Sequence, residues 1–399
     1  MNSRYFEMII WAVQYISFSV LLIGFYYEMN KYMHPIRMMV KNKVIGRIYI
    51  QDLLVIFVLT LVTGIRCNTG SDYYNYYIMY SNVDRWYTSL HDILAQRFQN
   101  GYMVLCYLVK LFGGGQFTIF GVVAALIYIP CIWIFRKYSR NPVSSVSCWL
   151  LMGYLAMSTN IIKQSLAMTC VLLAYVCYIN RKNILFFLLC ILGCMFHISV
   201  IYVIVILLFS KKIFPTKKLF YLTVGIGFGG MVLLKPILNV ASRILPHNYA
   251  VYIQNFNSGS VNDMKLQLGG IVVTAFYLLI LYSVVNKREE TTVEKTRIET
   301  AFLTAAILCI PFLFMGIRYY IFNRVAYTGM QFITIFLPAY YSKKNDKRSF
   351  LNRTLMLVMI VYCLCFTILC AENNYYQYST IYNDTPMSVT EFVQNSHGG

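Results

Sequence analysis

The sequence has little charge. Of its 399 residues, 12% are Asp, Glu, Lys or Arg, 59% are hydrophobic, and the mean hydropathy is +0.59. A soluble globular protein carries about twice that share of charged residues. This composition excludes an ordinary soluble domain. Because apolar stretches recur along nearly the whole chain, it indicates one membrane domain without an independent soluble domain.

Acidic residues are the scarcer charge, with 15 Asp and Glu against 34 Lys and Arg. In a soluble protein this imbalance would indicate nucleic acid, but in a membrane protein it indicates topology, so we expect no nucleic-acid partner. The 12 cysteines include no CxxC pair and no metal-type spacing. We interpret them as small apolar fillers. No cleavable signal peptide is evident, since residues 1–7 lead directly into an apolar segment.

Continuous apolar runs, such as residues 184–209, favour helices over the alternating strands of a barrel. We predict an all-α, polytopic integral membrane protein with about twelve transmembrane helices. One membrane domain covers residues 1–371, with outer loops near 65–115 and 239–266 and a Tyr-rich extracytoplasmic tail at 372–399. The predicted spans are 7–27, 47–64, 116–135, 144–159, 162–180, 183–196, 197–210, 219–237, 267–286, 299–316, 325–341 and 351–371.

The basic residues predict the orientation of these spans. With the N-terminus outside, most of the 34 Lys and Arg residues fall in the inner connections, as the positive-inside rule requires. The N- and C-termini are then both extracytoplasmic. This arrangement needs a break near His197, because a single helix over 183–210 would move the four lysines at 211–218 outside and invert every later loop. The sequence alone leaves open whether residues 183–210 form one helix or two.

Polar residues at the span edges fall on the outer side in this topology. Charges inside a membrane segment cost about 2.5 to 3.5 kcal/mol at the helix centre, so they usually face a cavity or a partner. A one-sided group of cations with a carboxylate and an imidazole suits an anionic, lipid-linked ligand. The group comprises Arg66, Asp72, Lys163, Gln164, His197, Arg318 and Arg324.

The exit of the second span contains the sharpest local pattern, Gly64 to Tyr77. Arg66 can hold a phosphate in a bidentate way, Asp72 can accept a hydroxyl proton, and Tyr73 and Tyr76 can stack on sugars. The structural alternative is that the Arg snorkels, the Asp makes a turn and the tyrosines form an aromatic belt.

The other candidates also have two interpretations. Lys163 and Gln164 begin the fifth span, where the helix dipole favours an anion, although Lys163 can simply snorkel. His197 can act as a base or bond to a pyrophosphate, or can be a helix-end residue. Arg318 and Arg324 can clamp a diphosphate or anchor a loop.

Several segments resemble, in order and spacing, the EpsG-like family of Wzy-type bacterial polysaccharide repeat-unit polymerases. The segments are GIR-x3-G-x-DYYNYY from Gly64, QNGY at 99–102, IIKQSLAM at 161–168, KNILFFLLCILGCMFHISVI at 182–201, and a late Arg-Tyr-rich outer edge. The resemblance covers roughly residues 5–370. Arg66, Gly70, Asp72 and Tyr73, then Gln164 and His197, match the family pattern. Lys163 replaces an expected Arg, and Gln99 replaces an expected Glu, so neither is assigned a catalytic role.

The resemblance implies a membrane glycosyltransferase, compatible with a GT-C-like membrane architecture. It would join undecaprenyl-diphosphate-linked oligosaccharides into exopolysaccharide, capsule or O-antigen at the outer face of the bacterial cytoplasmic membrane. Arg66, Asp72 and His197 would be catalytic, and Tyr73, Tyr76, Lys163, Gln164, Arg318 and Arg324 would bind substrate. The donor is already activated and cationic side chains can stabilise its leaving group, so we expect no cofactor and no metal. The lipid bilayer, a flippase and a chain-length regulator are implied partners.

Two other functions compete with this interpretation. A transporter or flippase of lipid-linked oligosaccharide would also need a cationic cavity, but it predicts charges through the depth of the membrane. A membrane acyltransferase that modifies polysaccharide would use His197 as its base, and it predicts a second His or a Ser nucleophile beside it. We identify no such pair in the sequence. It does not decide between inverting and retaining transfer.

Overall fold

Helices make up most of the computed structural model, which describes residues 3–40, 43–70, 72–95, 99–244, 267–290, 297–341, 357–366 and 379–380. The first ten helices are α1 (Ser3–Tyr32), α2 (Ile50–Gly64), α3 (Tyr73–Trp86), α4 (Leu90–Leu94), α5 (Gly101–Leu111), α6 (Gln116–Tyr138), α7 (Pro142–Leu151), α8 (Tyr154–Asn160), α9 (Ile162–Ile179) and α10 (Asn183–Phe196). The later described helices are α11 (Val200–Ser210), α12 (Lys217–Ile244), α13 (Leu268–Glu290), α14 (Arg297–Leu308), α15 (Ile310–Arg318), α16 (Tyr320–Met330), α17 (Ile333–Tyr341) and α18 (Leu357–Phe366).

Four short strands accompany the helices, where the sequence predicted helices and loops alone. Strands β1 (Ile36–Val40) and β2 (Lys43–Ile48) form an antiparallel hairpin between α1 and α2. Strand β3 (Arg66–Cys67) follows α2 directly and pairs antiparallel with β4 (Ser379–Thr380) in the C-terminal tail. The tail therefore returns to the exit of α2, and its remaining residues beyond 366 lie outside the described part of the chain.

Within the described residues, six helical segments are long and apolar enough to cross a membrane: Ile9–Tyr32, Gln116–Tyr138, Ile162–Ile179, Lys217–Leu234, Leu268–Asn286 and Arg297–Arg318. Six shorter apolar helices, α2, α5, α7, α10, α11 and α18, accompany them. Large apolar side chains are exposed on several helices, as Leu21 and Ile184 show, which is typical of surfaces that face lipid. The all-α, multi-pass membrane class is confirmed, whereas the number of about twelve spans stays a prediction.

The described chain divides into two compact units. The first contains residues 1–201 and 337–399, and the second contains residues 202–336. The single membrane domain expected from the sequence stays a prediction. Helix α12 continues to Ile244, past the start of the outer loop predicted at 239, and residues 245–266 of that loop lie outside the described residues.

The structure divides several predicted spans into shorter helices: 299–316 has a helix boundary at Cys309, between α14 and α15, and 325–341 is interrupted between α16 and α17. The break at His197 is confirmed: α10 ends at Phe196, His197 has extended backbone angles, and α11 begins at Val200. The predicted span 144–159 is instead two helices, α7 and α8, because Gly153 between them adopts a left-handed conformation with φ 84°.

Close packing brings the ends of α2, α6 and α8 together. A Cβ atom at Gly64 would lie 3.2 Å from the Cα atom of Gly121, so two small residues let α2 and α6 approach closely. A buried chain of hydroxyls joins the three helices: Thr63 Oγ1 lies 2.7 Å from Tyr128 Oη, which lies 2.8 Å from Ser158 Oγ. This network fixes the exit of α2 beside the end of α8.

Candidate functional site

Arg66 lies at the centre of the candidate site, immediately after α2, and its side chain is completely buried. Its Nη1 atom donates a hydrogen bond to the carbonyl oxygen of Thr63 at 2.8 Å. Its guanidinium carbon lies 4.4 Å from the centroid of the Phe120 ring, within the range of a cation–π interaction. A snorkelling arginine extends towards water. The observed side chain instead lies inside the protein, so that alternative does not describe Arg66.

The chain turns tightly between Arg66 and Asp72. Gly70 adopts φ 93°, and the backbone N–H of Tyr73 donates to the Gly70 carbonyl at 3.1 Å. Tyr74 supports the turn, since its hydroxyl donates to Asn68 Oδ1 at 2.6 Å. Asp72 is half-buried and directly precedes α3, but its carboxylate makes no capping hydrogen bond to that helix. The turn therefore presents the carboxylate without using it as a helix cap.

Asn160 joins this turn to the candidate residues of α9. The side chain of Asn160 is buried at the end of α8, and its Oδ1 atom accepts a hydrogen bond from the Asp72 N–H at 3.1 Å. A Cβ atom at Gly70 would lie only 2.8 Å from the same Oδ1 atom, so a glycine is needed there. Lys163, half-buried, and Gln164, buried, follow in the first turn of α9. The structure thus brings together the Arg66–Asp72 turn and the Lys163–Gln164 helix start.

The predicted substrate-binding tyrosines pack inside the protein. The ring of Tyr73 is buried 5.2 Å from that of Phe120. Burial, with a smaller contribution from Cys67, raises the pKa of the Tyr73 hydroxyl far above its ordinary value, so Tyr73 stays neutral and cannot serve as a base. The buried ring of Tyr76 lies edge-on to Tyr102 at 5.1 Å. Their stacking on sugars stays a prediction.

His197 neighbours the QNGY segment at the start of α5. A Cβ atom at Gly101 would lie 2.9 Å from Cδ1 of Phe196, so the first residue of α5 packs against the end of α10. His197 follows Phe196, is half-buried, and has its Nδ1 atom 2.7 Å from the Ser199 hydroxyl. The expectation that no Ser lies beside His197 was therefore wrong, because Ser199 stands two positions later, across the break between α10 and α11. Since Tyr102 of the same segment contacts Tyr76, successive contacts connect His197 with α3. Gln99, which replaces an expected Glu, has a left-handed backbone with φ 63°.

Arg318 and Arg324 lie in the second compact unit. Arg318 is the last residue of α15, Arg324 lies on α16, and both side chains are half-buried. The amide of Asn323 donates to the Gly316 carbonyl at 3.3 Å and holds the two helices together. The two arginines are therefore carried on consecutive, connected helices. Their expected clamping of a diphosphate stays a prediction.

Sequence reasoning missed Asn160 and Phe120 as parts of this site. Asn160 directly precedes the IIKQ segment, but nothing in the sequence pairs it with Asp72, 88 positions away. Phe120 lies within an apolar run, where an aromatic residue gives no signal of a buried cation. Within the described residues, no three His, Cys, Asp or Glu side chains gather in a group that could hold a metal ion.

The fold and this site define a multi-pass, all-α membrane protein with a buried cation and a carboxylate at adjoining helix ends. Comparison with known families matches the EpsG family over residues 49–380, and the chain belongs to this family. The matched region contains every candidate site residue. The family is associated with polysaccharide biosynthesis and glycosyltransferase-like polymerase activity. No curated protein and no solved structure matches the chain.

Proposed function

We propose that this protein polymerises undecaprenyl-diphosphate-linked oligosaccharide repeat units into exopolysaccharide, capsule or O-antigen. The observation that carries the proposal is the docking of the Arg66–Asp72 turn on Asn160, beside the start of α9. Three groups then adjoin one another: the buried guanidinium of Arg66, the carboxylate of Asp72, which does not cap α3, and the N-terminus of α9. These groups complement a diphosphate ester and a nearby sugar hydroxyl.

The proposed reaction is a glycosyl transfer between two lipid-linked chains. The bond between the donor's anomeric carbon and its diphosphate oxygen breaks, and a bond from an acceptor hydroxyl oxygen to that carbon forms. The diphosphate leaves with the bonding electron pair, and the acceptor hydroxyl loses its proton to a base. The donor is already activated, so the reaction needs no nucleotide sugar. Inverting and retaining courses both satisfy this balance.

Cationic groups would stabilise the departing diphosphate. Arg66 is the first of them, because its position is fixed by the Thr63 carbonyl and the Phe120 ring before substrate arrives. Preorganised charge of this kind is usually the largest single contribution to catalysis. Lys163 would add charge at the start of α9, where the helix dipole acts in the same direction. Arg318 and Arg324, which belong to the second unit, are proposed to bind substrate.

Asp72 and His197 are the two candidate bases for the acceptor proton. Asp72 lies beside Arg66 in the same turn, whereas His197 belongs to the group formed by α5 and the end of α10. Asp72→Asn and His197→Gln each remove one base with little change in volume. The variant that lowers the rate of the chemical step at saturating substrate, with unchanged substrate binding, identifies the base.

The decisive experiment measures polysaccharide length in cells whose own gene is replaced by Arg66→Ala or Asp72→Ala, at equal membrane abundance. Asn75→Ala is a matched control, because Asn75 is exposed on the same helix as the site tyrosines. Loss of long chains with single repeat units still displayed supports polymerisation here. If single repeat units are lost as well, the protein acts in export of the repeat units and not in their polymerisation. Unchanged polysaccharide length would show that Arg66 and Asp72 do not take part in the reaction.

A reconstituted assay separates this proposal from the other functions. The purified protein, supplied only with lipid-linked repeat units, should form longer oligosaccharides without nucleotide sugar or acyl donor. A flippase or an acyltransferase does not lengthen the chains under these conditions. The proposed reaction takes place at the outer face of the bacterial cytoplasmic membrane, and both termini are proposed to be extracytoplasmic. A flippase and a chain-length regulator are the proposed protein partners.

A further inference from the structure

The β1–β2 hairpin has two chemically different faces. Its register pairs Ile36 with Ile48 and Arg37 with Arg47. Side chains alternate between the faces of a strand, and directly paired residues share a face. Ile36 and Ile48 therefore lie on one face with Met38, and the two arginines lie together on the other. The first face is apolar at these positions, whereas the second carries both arginines together with the exposed Met39.

Both faces are open to the surroundings. Ile36 is 51% exposed and Met38 is 43% exposed, and Arg37 and Arg47 are exposed as well. A hairpin of two strands is marginally stable by itself in water, and like charges directly opposite each other destabilise it further. The sequence from 36 to 48 contains four basic residues, Arg37, Lys41, Lys43 and Arg47, and no acidic residue. A partner that carries negative charge and also has an apolar part would therefore stabilise the hairpin.

The hairpin lies between two apolar helices, where a membrane-crossing helix would end. It follows α1, which is long and apolar enough to span, and it precedes α2. Next to it, Arg136 at the end of α6 donates from Nε to Asp52 Oδ2 at 2.8 Å, and from Nη1 to Asn30 Oδ1 at 3.0 Å. The ends of α1 and α6 and the start of α2 thus meet at one level. Arg66 follows the other end of α2, about 20 Å away along that helix.

We propose that the β1–β2 hairpin is an interfacial element that binds acidic phospholipid. Its Ile36–Met38–Ile48 face lies against the acyl chains, and the Arg37–Arg47 pair binds the phosphate of an anionic headgroup. Arginine suits this role because its planar guanidinium donates two parallel hydrogen bonds to phosphate oxygens. One lipid can thus neutralise the facing arginines with its headgroup and cover the apolar face with its acyl chains. This inference does not depend on the proposed polymerase activity.

The test uses the full chain in nanodiscs of phosphatidylcholine with increasing fractions of phosphatidylglycerol. An environment-sensitive fluorescent amino acid replaces Met38 and reports entry of the apolar face into lipid. We expect its emission to shift to shorter wavelength as phosphatidylglycerol is added. Each arginine near a charged surface contributes about fivefold in affinity, so Arg37→Gln with Arg47→Gln should lower the apparent affinity for phosphatidylglycerol by about 25-fold. The shift should then fail to saturate even in discs rich in phosphatidylglycerol.

Two further variants make the outcome specific. Arg37→Lys with Arg47→Lys keeps the charge and removes bidentate binding, so its response should lie between those of the parent and the Gln pair. Arg85→Gln with Arg181→Gln removes two exposed arginines elsewhere and should respond like the parent. Thermal unfolding of each variant reports whether it is folded.

Three outcomes overturn the proposal. Emission typical of water at every lipid composition would show that the apolar face does not enter the membrane. An unchanged response in the Gln pair would show that the facing arginines do not bind the headgroup. Reversal of the shift by millimolar inorganic phosphate would identify a site for free anions instead of a lipid site.

Discussion

The side-chain oxygen of Asn160 accepts a hydrogen bond from the backbone N–H of Asp72 at 3.1 Å, between residues 88 positions apart in the chain. This bond connects the turn that carries Arg66 with the helix start that carries Lys163 and Gln164. Both parts are buried or half-buried, so the geometry of the candidate site depends on a polar contact that water does not easily replace.

Replacement of Asn160 by Ala should therefore impair the site. The Asp72 N–H loses this partner, which typically costs about 1 to 3 kcal/mol for a buried group. We expect a lower unfolding temperature and shorter polysaccharide chains at equal membrane abundance. Thr159→Ala is the control, because the Thr159 hydroxyl bonds to the Ala156 carbonyl within the same helix. Wild-type chain length in Asn160→Ala would show that the contact is dispensable for function.

Gly70→Ala should disturb the same contact from the other side. Its φ of 93° disfavours a side chain by about 1 to 2 kcal/mol, and the added Cβ would also lie 2.8 Å from Asn160 Oδ1. Gly113→Ala is a matched control, since Gly113 has φ 73° but nothing within 4 Å of an added Cβ. We expect Gly70→Ala to lower the unfolding temperature more. Equal effects in the two variants would attribute the loss to backbone strain alone.

Local patterns in the sequence predict much of this fold. Apolar runs predict the helical membrane class, and the distribution of basic residues requires the break that the structure places at His197. The interior break at Gly153 was missed because a run of apolar residues looks the same in one helix or in two. The β1–β2 hairpin was missed because its pattern is basic and apolar, without the Asn-Gly or Asp-Gly pair typical of tight hairpins.

The site is less predictable than the fold. Arg66, Asp72, Lys163 and Gln164 stand out because polar residues at the edges of apolar segments are costly. Their mutual arrangement depends on Asn160, whose role is set by a contact between distant parts of the chain. Likewise, the pairing of Arg66 with Thr380 joins a site residue to the tail, and a two-residue strand has no periodicity to detect.

Phe120→Leu should weaken the placement of Arg66 without removing its charge. The guanidinium lies 4.4 Å from the ring centroid, and a cation–π interaction of this kind contributes about 0.5 to 2 kcal/mol. Leu keeps most of the apolar volume and removes the ring. We expect shorter polysaccharide chains, with a smaller loss than in Arg66→Ala. Phe112→Leu, at a position 86% exposed, should leave chain length unchanged. A full-length product from Phe120→Leu would mean that Thr63 alone positions the guanidinium.

The Asp52–Arg136 ion pair should stabilise the protein at the other end of α2. Asp52 Oδ1 also accepts a hydrogen bond from the Tyr26 hydroxyl at 2.6 Å, so the carboxylate is well satisfied. Removing one partner of a buried ion pair typically costs about 3 to 5 kcal/mol because the other charge remains buried. We expect Asp52→Asn and Arg136→Gln each to lower the unfolding temperature markedly.

A double-mutant cycle checks this interpretation of the ion pair. Asp52→Asn combined with Arg136→Gln should be less destabilised than the sum of the single variants, since no unpaired charge remains. Asp84→Asn at the exposed Asp84–Lys110 pair is the control and should have little effect. Strict additivity of Asp52→Asn and Arg136→Gln would show that the two side chains stabilise the protein independently.

Deletion of the C-terminal tail should loosen the turn that carries Arg66. Strand β4 pairs Thr380 with Arg66 and Ser379 with Cys67, so backbone hydrogen bonds protect the exit of α2. Deletion of residues 371–399 removes the strand, whereas deletion of 381–399 keeps it and serves as the control. We expect faster amide hydrogen exchange around Arg66 and shorter polysaccharide chains only in the longer deletion. Exchange as slow as in the full chain would mean that α2 and Asn160 hold the turn without the tail.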